Sequence, residues 1–214
     1  SEQEIAANVE ANMDRGPETV AKALLAAVTA HNQSNQDNCS VIVALVPGVA
    51  THLPLRGENL PLHWHEGRFA RITRQDDGIH VDLPARASAA SLRRTLRAFY
   101  EAEARTDIGR WLPGYLAGLP RAPRQIRLKV MSSQWGSLAP DGTLTLDLAL
   151  VLGRPSAFEY VLVHELCHLL QSNHSPAFWH EVETRFPAWR DERAWFHAEG
   201  RRLKARLRGL LAED

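Results

Sequence analysis

The segment Tyr160-Val161-Leu162-Val163-His164-Glu165-Leu166-Cys167-His168-Leu169-Leu170 constrains this chain more than any other. Its apolar residues suit a buried helix, yet two histidines and a carboxylate interrupt them. An unpaired polar group in an apolar setting costs roughly 2–7 kcal/mol, so these three side chains need a reason to be there. His164 and His168 are four residues apart. On a helix that spacing turns about 400°, which sets both imidazoles on one face, one turn apart. Two such nitrogens can reach one zinc ion at about 2.0–2.1 Å.

Glu165 is adjacent and lies near the same face. It can reach a water on the metal without being a ligand. Zinc lowers the pKa of that water to near neutrality, and a carboxylate can take its proton during attack on a carbonyl. A catalytic zinc has three protein ligands and one open position. The third candidate is His174, which on a continuous helix would sit about 280° around from His164. The helix must therefore stop between His168 and His174. Gln171-Ser172-Asn173 is polar, and Asn tolerates the left-handed conformation that ends helices. The expected set is His164, His168 and His174 on Zn²⁺, with Glu165 as the base.

The remaining composition excludes several alternatives. The chain has 214 residues, 44% hydrophobic and 23% charged, which is ordinary globular composition with length for a core. Lys plus Arg and Asp plus Glu number 25 each, so no global field favours nucleic acid or a membrane surface. The run Arg201-Arg202-Leu203-Lys204-Ala205-Arg206-Leu207-Arg208 reads as the solvated face of a C-terminal helix, with a local anionic partner as the alternative. Two cysteines, Cys39 and Cys167, make no disulfide framework. No apolar run approaches a membrane span, and the acidic N-terminus does not resemble a signal peptide. A reducing, cytoplasmic setting is expected. The absence of an initiator Met reads as a processed or truncated chain.

Along the chain, residues 17–30 predict a helix and residues 40–46 a buried strand. Residues 60–64, 69–74 and 79–83 predict an antiparallel meander. Ser88 caps a helix to about Arg105, with Leu92, Leu96 and Phe99 on one face. A Pro/Gly-rich connection over 111–123 precedes strands at 125–131 and 143–150, which read as a hairpin. Three helices follow, over about 156–170, from Ser175-Pro176 to before Pro187, and over about 191–210.

His164-Glu165-Leu166-Cys167-His168, then Asn173-His174-Ser175 and Phe178-Trp179, resembles the YgjP-like metallopeptidases, relatives of the WLM and SprT-like zincins. Trp135-Gly136-Ser137, the strand Thr143-Leu144-Thr145-Leu146, Pro187 and Trp195 extend the likeness, which covers about 53–210. The resemblance implies an α+β, zincin-like fold: an antiparallel or mixed sheet, an active-site helix and C-terminal helices. It implies the same three His ligands and the Glu165 base. The spacing equals that of metzincins, but Gln171 stands where those proteins have Gly, and no Met follows the site. Leu138 replaces the family's Cys, and Asp147 stands where Asn is more usual. In zincins an edge strand pairs with extended substrate, and residues 143–150 or Trp135-Gly136-Ser137 are the candidates here.

Residues 1–46 carry a second resemblance. The helix over 17–30 and Gln36-Asp37-Asn38-Cys39-Ser40-Val41-Ile42-Val43 look like the C-terminal helix and strand of metal-dependent serine/threonine phosphatases. The other metal-binding aspartates of that family are absent, so Asp37 reads as a loop residue. The expected organisation is a helix–strand appendage over 1–46 and a YgjP-like domain over 47–214.

His63 and His65 alternate on one strand face and suggest a second metal site, but no third ligand is visible. Arg193 and Trp195 are candidates to seal the main site. The leading reading is a zinc-dependent peptidase acting on peptide or protein substrates. Two alternatives stand beside it: a non-catalytic binding module with a structural zinc, and a nucleic-acid-associated protease of the WLM and SprT kind.

Overall fold

The computed structural model describes residue 45 and residues 47–211. The predicted helix over 17–30, Asp37 and nearly all of the predicted strand over 40–46 lie outside these residues. The described part is α+β, as expected.

A four-stranded sheet comes first: β1 (His52–Leu55), β2 (Glu58–Glu66), β3 (Arg71–Gln75) and β4 (Gly78–Leu83). The β1–β2 hairpin turns through Arg56 and Gly57, both with positive φ (51° and 83°), the conformation that matches strand twist in two-residue turns. The spatial order is β1-β2-β4-β3, and here the structure departs from the expected antiparallel meander. β4 pairs in parallel with β2 and antiparallel with β3. Burial explains the exchange. β4 carries Ile79, Val81 and Leu83, all buried, and a strand with that inner face belongs in the sheet interior. β3 buries only Ile72 and presents Arg71, Arg74 and Gln75 to solvent, a composition suited to an edge.

Helix α1 (Ala89–Tyr115) lies across the inner face. Ser88 caps it, accepting from the Ser91 N–H at 3.2 Å. It continues past the expected end at Arg105. Trp111 packs edge-on against Phe158 at 5.4 Å, and the Tyr115 hydroxyl donates to Glu159 at 2.8 Å. These contacts hold the last turns helical although Pro113 lies within them. The β1–β2 turn docks into this region. Arg56 donates to Asp107 at 2.9 Å and to Glu103 at 2.6 Å, and its N–H donates to the Val151 carbonyl.

The second sheet holds β5 (Gln125–Lys129), β6 (Gly136–Leu138) and β7 (Thr143–Asp147) in the order β5-β7-β6. β5 and β7 are parallel, so they do not form the expected hairpin. The hairpin is β6–β7. The second strand also stops at Asp147 rather than Leu150. The Asp147 carboxylate accepts from the Ala149 N–H at 3.0 Å and turns residues Leu148–Leu152 into a buried 3₁₀ segment. A short apolar run does not distinguish a strand from a buried helical turn by pattern alone.

Three helices complete the fold: α2 (Pro155–Cys167), α3 (Pro176–Arg185) and α4 (Trp189–Leu211). Ser175 caps α3, with Pro176 in its first turn, as expected. The basic run of α4 is not simply a solvated face. Arg201 and Arg202 are exposed, but Lys204 turns inward. It donates to the Asp147 carboxylate and to the Gln134 and Met131 carbonyls (2.8 and 3.2 Å), and lies 4.2 Å from the Trp135 ring centre. Arg208 donates to the Ser132 carbonyl at 3.2 Å, and Arg206 to the Asn59 side chain.

Asp147 is 1% exposed and forms a buried ion pair with Lys204. Removing one partner of a buried pair costs about 3–5 kcal/mol. Lys204→Met is expected to lower the melting temperature by roughly 10 °C, and adding Asp147→Asn to restore most of it, as read by thermal denaturation of the three proteins.

Candidate active site

α2 is buried on nearly every side. Phe158, Val161, Leu162, Val163, Leu166 and Cys167 all pack into the core. Arg154, just before the helix, donates to Glu192 of α4 at 2.8 Å and so anchors its N-terminus. His164, Glu165 and His168 are therefore presented by a backbone with little room to move, which a preorganised site requires.

The helix ends at Cys167, with His168 itself as the C-terminal cap. The reversal differs in detail from the expected left-handed Asn. Among described non-glycine residues only Arg56 has positive φ. The chain turns instead through tight backbone bonds, Leu169 N–H to Leu166 and Leu170 N–H to Cys167, both 3.0 Å. Asn173 contributes through its side chain, which accepts from the Ser175 N–H at 3.3 Å. Ser175 then starts α3. His174 is delivered to the other two histidines by these turns.

The three imidazoles converge, each offering a ligand atom within 4.8 Å of the others. His164 Nε2 and His174 Nε2 are 3.0 Å apart, close to the roughly 3.3 Å expected between two nitrogens on one tetrahedral zinc. His168 Nδ1 lies 3.0 Å from the Gln171 carbonyl. A carbonyl only accepts, so Nδ1 carries the proton and Nε2 keeps a free lone pair, the orientation a metal ligand needs. Burial and the neighbouring histidines push His164 down to about 3, and burial lowers His174 as well. Both are neutral near pH 7, as ligands must be. The donor set fits a borderline divalent ion. Among the described residues no fourth His, Cys, Asp or Glu joins the group. Cys167 faces the core instead, where burial pushes its thiol up to about 11. The set thus offers three donors and leaves a side without one, unlike the four donors of a closed structural site.

Glu165 is 6% exposed. Burial pushes its carboxyl up to about 7, and a cation beside it would pull it down again. Its neighbour is Gly136 of β6. A Cβ there would stand 2.6 Å from Glu165 Cγ, so the glycine makes the space the carboxylate occupies.

The sequence reading gave no role to Phe178. It is fully buried and touches all three imidazoles. It stacks on His168 at 4.6 Å and meets His164 and His174 edge-on at 4.9 and 4.8 Å. Trp179 stacks on His174 at 5.8 Å and on Trp189 at 4.4 Å. The available signal was position: Phe178 is four residues after His174 and three after a helix cap, on the turn that faces the site.

A cleft of about 830 Å³ opens over the histidines. β6 forms one wall, and Tyr160 and Arg193 stand among the lining residues. Arg193 also lies over the Trp179 ring at 5.3 Å. The expected role for Trp195 is not met: it packs on Arg154 and Phe196 and does not line the cleft. Of the two proposed edge strands, only β6 is one, since β7 is paired on both sides.

Because Phe178 holds the rings, Phe178→Leu is expected to keep the fold but weaken metal affinity about 10–100-fold, as supporting residues around metal ligands do. Chelator competition measures this.

The family comparison agrees with the geometry. The model of the YgjP-like, metallopeptidase domain family matches residues 12–199. Among solved structures, the crystal structure of the metallopeptidase zymogen of Pyrococcus abyssi abylysin is similar at 27% identity, covering 48% of this chain and 93% of that one, with a TM-score of 0.36. Among curated proteins nothing matches. With a match over most of its length and a set of converging imidazoles, the chain belongs to the YgjP-like metallopeptidase family.

Proposed function

We propose that this chain is a zinc-dependent peptidase in which His164, His168 and His174 hold the ion and Glu165 is the general base. The observation that carries the reading is the open side of a three-imidazole set, facing a cleft walled by an edge strand. Zinc, when bound, would polarise the scissile carbonyl and acidify water.

The protein's own residues supply the rest. β6 is hydrogen-bonded to β7 on one side only, so its free edge can pair with an extended peptide. Backbone pairing gives affinity without demanding a particular sequence. Glu165, packed against Gly136, stands beside that strand. It takes the proton from the attacking water and passes it to the leaving amine nitrogen, which balances the reaction without a second acid. Tyr160 stays protonated, its phenol pushed up to about 12 by burial. It and Arg193 are donors suited to the negative charge that develops on the carbonyl oxygen. Lys204, Arg206 and Arg208 are engaged within the chain, so the basic run lends little support to a nucleic-acid partner. Among the described residues no helix is long and apolar enough to cross a membrane.

His164→Ala is expected to lose the equivalent of zinc that this site holds. Glu165→Gln should retain zinc and lose turnover by about 10²–10⁴-fold, the usual weight of a general base. Metal analysis and a peptide-cleavage assay read both, and full activity in Glu165→Gln would sink the mechanism. Gly136→Ala should also keep zinc while lowering kcat, because its methyl group occupies the position of the carboxylate.

A further inference from the structure

The outer face of the first sheet gathers four side chains that the peptidase site does not use. In the parallel β2–β4 pair, His63 stands directly beside His80, and His65 beside Asp82. Paired residues share a face, so His63, His65 and His80 all project away from the core, which Leu62, Ile79 and Val81 fill from the other side. The β3–β4 turn adds Asp77. None of these residues lines the peptidase cleft.

Their polar atoms are close. His80 Nε2 lies 2.8 Å from Asp77 Oδ1, and His63 Nε2 lies 3.8 Å from Asp77 Oδ2. These values bracket the roughly 3.3 Å between two donors on one tetrahedral zinc. His63, Asp77 and His80 together place three ligand atoms within 4.8 Å. The His63 and His80 rings stack at 4.7 Å, and those of His65 and His80 at 5.0 Å.

Two features shape the group. His65 Nε2 is 2.8 Å from His80 Nδ1, so His65 orients His80 through the nitrogen that faces away from Asp77. Such support is what metal-ligating histidines require. Gly78, at φ 143°, passes so close to β2 that a Cβ would stand 2.5 Å from the Pro61 carbonyl and 3.2 Å from His63 Nε2. The glycine lets the turn bring Asp77 against His63.

We propose that His63, Asp77 and His80 bind a second divalent ion of the zinc, cobalt, nickel or copper class, with His65 as the residue that positions His80. Two imidazoles and a carboxylate favour these borderline ions over magnesium or calcium, which take oxygen ligands. Without the ion, His80 Nε2–H donates to the Asp77 carboxylate, His63 Nε2–H to the Asp77 carbonyl at 3.2 Å, and His65 Nε2–H to His80. On binding, each ring shifts its proton to Nδ1, so His80 then donates to His65. Nε2 of His80 is freed, and no proton is lost. The ion would fasten the β3–β4 turn to β2, across the join where the chain order of the sheet is broken. The site's role is therefore structural, and it is independent of the peptidase reading.

The test counts zinc bound per chain by equilibrium dialysis, with cobalt absorption as a second readout. The wild-type chain should bind two equivalents. His63→Ala/His80→Ala should bind one and keep its metal-dependent activity. His164→Ala/His168→Ala should also bind one, and added zinc should raise its melting temperature, because an ion that binds only the folded state stabilises it. His65→Ala should weaken the second equivalent without removing it. Equal zinc content in wild type and His63→Ala/His80→Ala overturns the proposal. So does a folded His164→Ala/His168→Ala protein that binds no zinc. If that variant fails to fold, the comparison of wild type with His63→Ala/His80→Ala decides alone.

Discussion

Everything in the peptidase half depends on the burial of α2. A helix packed into the core on nearly every side has no surface on which to place polar residues cheaply. Its two histidines and one glutamate cluster at the one side left open. His168 is held by the Gln171 carbonyl, His164 packs against Phe178 and the other imidazoles, and Glu165 fills the space left by the missing side chain of Gly136. The same burial that makes the helix rigid pushes His164 down and the Glu165 carboxyl up. Apolar packing thus fixes the geometry of the imidazoles and keeps His164 neutral.

The open side is shaped by elements distant in sequence. β6 becomes the wall of the cleft because β7 takes the centre of its sheet, and the loop before β6 is tied down from α4. Lys204 reaches two carbonyls of that loop and the carboxylate of Asp147, so a single ammonium joins the C-terminal helix, the central strand and the approach to the edge strand. The presence of Asp rather than Asn at 147 fits this arrangement, since a carboxylate can both cap the 3₁₀ segment and neutralise the lysine. At the other end, Arg56 plays a similar part, fixing the first hairpin to α1 through Glu103 and Asp107. Among the described residues, Asp107, Asp147 and Glu192 are buried where an ion pair joins elements distant in sequence.

Much of the fold was readable in local patterns. The caps at Ser88 and Ser175, the strand at 79–83 and the succession of C-terminal helices rest on nearest-neighbour chemistry, and the structure bears them out. The failures share a cause. The order of β3 and β4, the parallel pairing of β5 with β7 and the end of β7 at Asp147 depend on which apolar face is buried most deeply, and a local pattern does not rank faces against one another. The extension of α1 through Pro113 likewise rests on Phe158 and Glu159, more than forty residues away.

The sequence by itself determined the motif helix, the spacing of His164 and His168, the need for a break before His174, and the family likeness. The first three follow from helix periodicity and ligand chemistry, which act over a few residues, and the likeness rests on motifs matched along the chain. Only the tertiary structure decided that the break is a tight turn rather than a left-handed Asn, that Phe178 backs all three imidazoles, that β6 is the free edge, and that His63 and His65 gain His80 and Asp77 as neighbours. Each of these requires knowing which segments meet in space, and that is set by the competition of apolar faces for a common core.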